Sequence, residues 1–356
     1  MTVKNASAVV AALVGLSLVP TARGQFTLTN LSPAESFYSE ARATFGSQQA
    51  GSVITETSSN ASIWSGTAQS WISLSPAGSE ASAIFGAAGS QQVGTVSFSG
   101  VNRASTWTGT AASWVDLNPL GSAESYGFAT NGTQQVGYAD VGSKRRASLW
   151  SGTADSWIDL EPAQSEGSTA FAISASTQAG VAVINGQTHA SLWKGAASSW
   201  IDLNPAGATE SFAFAATDAH QAGRATVDNI SRASLWSGTA DSWIDLNPLG
   251  SIDSGVFGVH ENMQVGYAFI DNQFRASLWL GTAESWVDLN AFLPEYFTFS
   301  QAYSISSDGS TISIVGSGFN GLTGKNEALL WTQPIPAPGA GTLLALTGLI
   351  AARRRR

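Results

Sequence analysis

Short runs of alternating polar and apolar residues, broken every few positions by Gly, Asn, Ser or Pro, recur along this chain at a fixed interval. Trp64, Trp107, Trp150, Trp193, Trp236 and Trp279 stand 43 residues apart. Each has a second Trp seven positions later: Trp71, Trp114, Trp157, Trp200, Trp243 and Trp286, and Trp331 closes the series alone. A period in this range marks one supersecondary unit stacked many times.

The stretch from Leu120 to Pro162 shows one unit. It reads Tyr126-Gly-Phe-Ala-Thr, the turn signal Asn131-Gly132, Gln134-Gln-Val-Gly-Tyr-Ala, Arg146-Ala-Ser-Leu-Trp150, a Ser-Gly-Thr-Ala-Asp-Ser link and Trp157-Ile-Asp-Leu160. This predicts four short β-strands, a to d, in 43 residues, the size of a propeller blade. A tight c–d hairpin sets Trp150 opposite Trp157, with Arg146, Ser148 and Asp159 on the same face. Arg146 and Asp159 are then diagonal neighbours within ion-pair reach, as are Arg103/Asp116, Arg232/Asp245 and Arg275/Asp288. Ala147, Leu149, Ile158 and Leu160 share the other, apolar face, so both faces are furnished for packing between neighbouring units.

Counting the units predicts closure. Leu28 precedes Trp64 by the same 36 residues that separate Trp114 from Trp150, so Phe26 to Pro33 aligns with a strand d that has no a, b or c before it. Tyr303 to Trp331 supplies a, b and c but no d. Six complete units (34–76, 77–119, 120–162, 163–205, 206–248 and 249–291) lie between. The expectation is an all-β, seven-bladed β-propeller whose N-terminal strand completes the last blade, removing the open edges that invite aggregation.

Two positions recur inside the units. Gln49, Gln92, Gln135, Gln178, Gln221 and Gln264 each stand two residues before a glycine. Such a glycine marks close backbone approach or a bulge. The amide is expected to bond neighbouring backbone or to reach the axis and a ligand. Phe85, Phe128, Phe171, Phe214 and Phe257 share one place in strand a, which Arg42 takes in the first unit and Tyr303 in the last. These are expected in the core between blades, with a binding ladder as the alternative.

The units resemble the HAF family of bacterial extracellular repeats. The match is clearest at Ala170-Phe171-Ala-Ile173, Gln178-Ala-Gly180, His189-Ala-Ser-Leu-Trp193 and Asp202-Leu203, with Ala302 to Gly309 similar to the family's first strand and turn. Arg replaces the family's His in most units and Ser its Phe throughout. The resemblance implies an exported repeat protein and carries over no catalytic residue.

The ends depart from the repeat. Residues 1–24 read as a secretory signal peptide: Lys4, an apolar stretch from Ala6 to Pro20, then Ala22-Arg23-Gly24, giving a mature start near Gln25. Residues 334–356 hold a proline box, an apolar stretch from Ala340 to Ala352 and Arg353, Arg354, Arg355 and Arg356. That order suits a tail that enters a membrane and stops. It resembles the PEP-CTERM sorting tails of exported bacterial proteins, with Pro336-Ala337-Pro338 in place of Pro-Glu-Pro. The resemblance implies an exosortase-type processing enzyme as partner and delivery to the cell envelope, surface or exopolysaccharide. The body, 25–333, is thus expected to be a single propeller domain.

Six of the 16 basic residues and none of the 25 acidic ones fall in those ends, so the body is strongly acidic and a poor nucleic-acid binder. The chain has no cysteine, hence no disulfide framework or thiolate metal site. His189, His220 and His260 occupy different offsets, giving no metal-ligand spacing or Ser-His-Asp pattern. The recurrent Asp beside Arg reads as structural, and Asp308-Gly309 as a turn. No cofactor, metal or catalytic residue is assigned. The expected function is non-enzymatic, an exported binding or scaffold surface, with a polysaccharide lectin and a polysaccharide-degrading enzyme as alternatives. The d–a links are the expected contacts: Pro119-Leu-Gly-Ser, Pro205-Ala-Gly-Ala and the longer Ala291 to Ser300. Phe292, Tyr296, Phe297 and Phe299 in the last are the candidate ligand contacts, with packing over the ring closure as the equal alternative.

Overall fold

The computed structural model describes residues 26–335. The expected leader and the tail beyond residue 335, with Pro336, Pro338 and Arg353 to Arg356, lie outside the described residues. Within them every regular element is a β-strand or a single 3-10 turn. The representative unit is an antiparallel meander: strand a Ser122–Thr130, b Gln135–Val141, c Lys144–Trp150 and d Ile158–Asp159. Strand d is shorter than expected because the link before it winds into a 3-10 turn, Ala154–Ser156.

Strands c and d pair Ser148 with Asp159 and Leu149 with Ile158, the register that sets Trp150 across from Trp157. Arg146 Nη1 lies 2.6 Å from Asp159 Oδ2, and the other three Arg–Asp pairs close at 2.7–2.8 Å. Where His189 replaces Arg, its Nδ1 lies 2.8 Å from Asp202 Oδ2. In the last meander the polarity inverts: Asn30 Nδ2 donates to Glu327 Oε2 at 2.7 Å. Ile158 is a correction, since it is 42% exposed on the outermost strand instead of packed between units.

The last meander is built from both ends of the chain. Phe297–Ser307, Thr311–Asn320 and Lys325–Pro334 pair in sequence, and Thr27–Asn30 adds antiparallel to the third, with Leu28 opposite Trp331. Each unit is clasped to the next by one buried hydrogen bond. The Ala147 N–H of strand c donates to Ser168 Oγ in the following strand a at 2.9 Å. The same bond joins Ala61 to Ser82, Ala104 to Ser125, Ala190 to Ser211, Ala233 to Ser254 and Ala276 to Ser300. It then joins Ala328 of the last meander to Ser39 of the first. These seven serines are at most 3% exposed, so each bond satisfies a donor that water cannot reach.

Apolar packing fills the space between the sheets. Trp193 is fully buried among Val136, Ala147, Leu149 and Leu160 of the preceding unit and Ala170 of its own sheet, and Trp64 packs likewise with Val315, Ala328 and Leu330 of the last unit. Burying an indole of this size is worth about 4–6 kcal/mol by area. Trp64, Trp107, Trp150, Trp193, Trp236, Trp279 and Trp331 find no acceptor for Nε1–H among the described residues. Such an unpaired donor costs about 1–3 kcal/mol, so burial wins. The second tryptophans are half-buried and satisfied: Trp157 Nε1 donates to Ser148 Oγ at 2.8 Å, a bond repeated in all six complete units.

Candidate functional site: the central cavity

The glycine of strand b creates the site. A Cβ on Gly137 would meet the carbonyl oxygen of Tyr126 at 1.7 Å, so only glycine lets strand a approach this closely. Opposite it, strand a bulges: its register with b shifts between Gly127 and Ala129, leaving Phe128 unpaired. A bulge re-aims the extra residue's side chain. The shift recurs around Arg42, Phe85, Phe171, Phe214, Phe257 and Tyr303.

These seven side chains form one ring. Centroids of Phe85, Phe128, Phe171, Phe214, Phe257 and Tyr303 follow one another at 5.3–5.7 Å. Arg42 continues the series, its guanidinium carbon 4.2 Å from the Tyr303 centroid. The expectation that they form the core between blades is corrected: all are half-buried and line a shared cavity of about 510 Å³. By themselves the seven also line a compartment of about 280 Å³.

The glutamines take the structural role. Gln135 Oε1 accepts from Gly152 N at 2.8 Å, and the other five copies grip the matching glycine at 2.7–2.9 Å. Those glycines hold φ of 79–85°, the left-handed region that opens the c–d link. The amides therefore brace the rim and leave the ring as the cavity's distinctive surface.

Arg42 is the ring's only cation and is held from behind. Its Nε lies 2.8 Å from Glu40 Oε1, an ion pair without hydrogen-bond alignment. Glu40 is itself buried and accepts from Tyr38 Oη at 2.8 Å and Ser52 Oγ at 3.3 Å. Burial would lower the Arg42 pKa, but Glu40 and Tyr303 outweigh it and raise it, so the group stays charged. Asp308, the one carboxylate lining the cavity, accepts from Ser310 N and Thr311 N at 2.8 Å each. These bonds hold it below the ordinary range and fix it in the expected turn. In the sixth complete unit, Tyr267 Oη of strand b donates to Asp253 at the start of strand a at 2.9 Å, and burial with Asp253 pushes its pKa up to about 12.

The four expected contacts do not gather there. Phe297 is 4% exposed in the core, and Phe292 packs edge-on against Phe26 at 5.5 Å. Phe299 is half-buried beside Phe274, and only Tyr296 is open, at 39%. The closure-packing alternative thus accounts for Phe292 and Phe297. The cavity is lined by the C-terminal halves of the a strands, 42–46 and 303–308 among them. Strands alternate in direction, so the d–a links lie at the opposite end, where Leu120 and Leu249 are fully exposed. The sequence signal for the ring was present in the fixed place shared by the five phenylalanines.

No family model matches the chain, and no curated protein sequence matches it. Solved structures do. The S511A mutant of puromycin hydrolase, complexed with PGG, aligns at 11% identity and a TM-score of 0.56, over 82% of this chain and 53% of that one. The β-propeller domain of the trilobed protease from Pyrococcus furiosus aligns at 8% identity and 0.55, over 84% and 94%. An acylaminoacyl peptidase aligns at 8% and 0.53, over 87% and 54%. The fold is of β-propeller type. This chain spans about half the length of the puromycin hydrolase and the acylaminoacyl peptidase, and the likeness is one of fold alone. Among the described residues no helix is long and apolar enough to cross a membrane, and no group of His, Cys, Asp or Glu could hold a metal.

Proposed function

We propose that this chain is an exported, non-enzymatic, closed seven-bladed propeller that binds a ligand in its central cavity at the cell surface or in the extracellular matrix. The carrying observation is the ring of one residue per unit, five Phe, Tyr303 and Arg42, around the cavity. Neighbouring ring planes turn by 46–55°. One seventh of a full turn is about 51°, the rotation expected between blades of a seven-membered ring. The Ala328–Ser39 bond repeating the six internal clasps supports closure.

The cavity favours binding over catalysis. A glycosidase needs two carboxylates roughly 5–10 Å apart, whereas this lining offers Asp308 alone, fixed by its turn. A lectin stacking sugars on the first tryptophan set is disfavoured as well, since every member of that set is buried. The leader-like and sorting-like ends support export, processing by an exosortase-type enzyme and residence near surface polysaccharide or envelope proteins. Fractionating the source cells with an antibody to the body, then sequencing the mature N-terminus, tests this. Envelope or extracellular protein beginning near Gln25 is expected; cytoplasmic protein retaining Lys4 would overturn the proposed export.

A further inference from the structure

The sevenfold repetition of the ring fails at one place, and there it becomes charged. Six positions present aromatic rings and the seventh presents the Arg42 guanidinium. Its Nε faces Glu40, and its plane rests over Tyr303. Nη1 and Nη2 make no hydrogen bond to any described residue, and neither is fully buried. The outer edge of a guanidinium is a planar two-donor fork that matches a carboxylate. Tyr38 and Ser52 hold Glu40, Glu40 holds Nε, and Tyr303 fixes the plane, so the fork is set before any ligand arrives.

From this we infer that the cavity takes a small carboxylate carried on a planar, apolar body, the carboxylate on Arg42 Nη1 and Nη2 and the body against the phenylalanine ring. The inference rests on the cavity being the binding site proposed above. A single negative charge fits better than a phosphate dianion, because Glu40 already offsets part of the Arg42 charge. A cationic guest would find aromatic faces but would meet Arg42 at close range. The cavity of about 510 Å³ admits a small ring-bearing molecule.

Isothermal titration of the full-length protein with phenylacetate, phenylacetamide and D-glucuronate tests the inference. Phenylacetamide keeps the ring and removes the charge; glucuronate keeps the charge on a polar body. The expected result is saturable phenylacetate binding, at least tenfold weaker for each of the other two. In Arg42→Gln, with its circular dichroism spectrum unchanged, the acid and the amide should bind alike. Equal affinities for acid and amide in the wild type would overturn the carboxylate assignment and leave the cavity reading standing. Glucuronate binding as tightly as phenylacetate would overturn the apolar body. Failure of all three to bind overturns the inference, and the cavity reading itself then falls only if the plugging experiment closing the Discussion also fails.

Discussion

The backbone N–H of Ala328 donates to Ser39 Oγ at 2.9 Å across 289 residues of sequence, and Ser39 donates onward to Ser32 Oγ at 2.9 Å. That link is the same clasp that binds Ala190 to Ser211 and Ser211 to Asn204 within the chain. Ser39→Ala strands a buried N–H and should cost about 1–3 kcal/mol, close to the cost of Ser211→Ala. Urea unfolding of both variants checks this. A neutral Ser39→Ala beside a costly Ser211→Ala would show that the two ends are not clasped in solution.

Gly137 and Gly152 lie in one unit but answer to different physics. At Gly137 an added Cβ collides with the backbone oxygen of Tyr126, and the strand cannot yield without losing its ladder. At Gly152, with φ of +85°, there is open space and only backbone strain. Gly152→Ala should cost about 1–2 kcal/mol. Gly137→Ala should exceed about 4 kcal/mol or prevent folding. Thermal unfolding separates them, and equal costs would contradict the close-approach account.

Glu161 stands where Asn118, Asn204, Asn247 and Asn290 stand in other units, accepting from the clasp serine Ser168. It also meets Lys144 Nζ and Ser165 Oγ at 2.5 Å each. Glu161→Asn should stay within about 1 kcal/mol of wild type, since Asn supplies the same acceptor and half-exposed Lys144 can rehydrate. Glu161→Ala removes the acceptor and should cost about 1–3 kcal/mol. Equal chemical-denaturation midpoints for the two variants would show that the acceptor is dispensable.

Asp218 ties two neighbouring units at their a–b turns, accepting from Ser174 Oγ at 2.6 Å and Ser176 N at 3.2 Å. The Ser174 bond first, then those from Ser176, hold its carboxyl below the ordinary carboxylate range. A pKa lowered by folding means that the contribution is complete above the unfolded value and fades as pH falls through the folded one. At pH 5 the Ser176 amide should therefore exchange faster in Asp218→Asn than in wild type, and the difference should shrink as falling pH protonates the Asp218 carboxylate. Identical exchange at pH 5 would remove Asp218 from this role.

Much of the architecture was legible because tryptophan spacing and strand parity are local. The c–d register, the Arg146–Asp159 pair and the pairing of Leu28 with Trp331 all follow from counting. The cavity did not, because a bulge changes parity without changing sequence spacing. Phe128 alternates with Ala129 in the sequence, yet the slip opposite Gly137 turns it from the space between sheets toward the axis. The clasp serines were also visible at a fixed spacing from Ser39 to Ser254, but their meaning depends on a backbone donor in the preceding unit. The aromatic cluster at 292–299 left contact and packing equally open in the sequence, because which rings the core takes depends on the fold: Phe26 and the core claim Phe292 and Phe297, and Tyr296 stays exposed.

The central claim, that ligands enter the aromatic-walled cavity, can be tested by plugging it. Phe128 and Phe214 line the cavity and are half-buried, so Phe128→Trp combined with Phe214→Trp narrows the lumen, whereas Tyr296→Ala alters the exposed d–a link at the other end. Both variants and the wild type would be titrated calorimetrically with small carboxylates and the extracellular polysaccharide of the source cells. The account predicts saturable binding that the double tryptophan variant sharply weakens and Tyr296→Ala leaves unchanged. Binding that survives the plug and disappears with Tyr296, or no binding to the wild type, would contradict it.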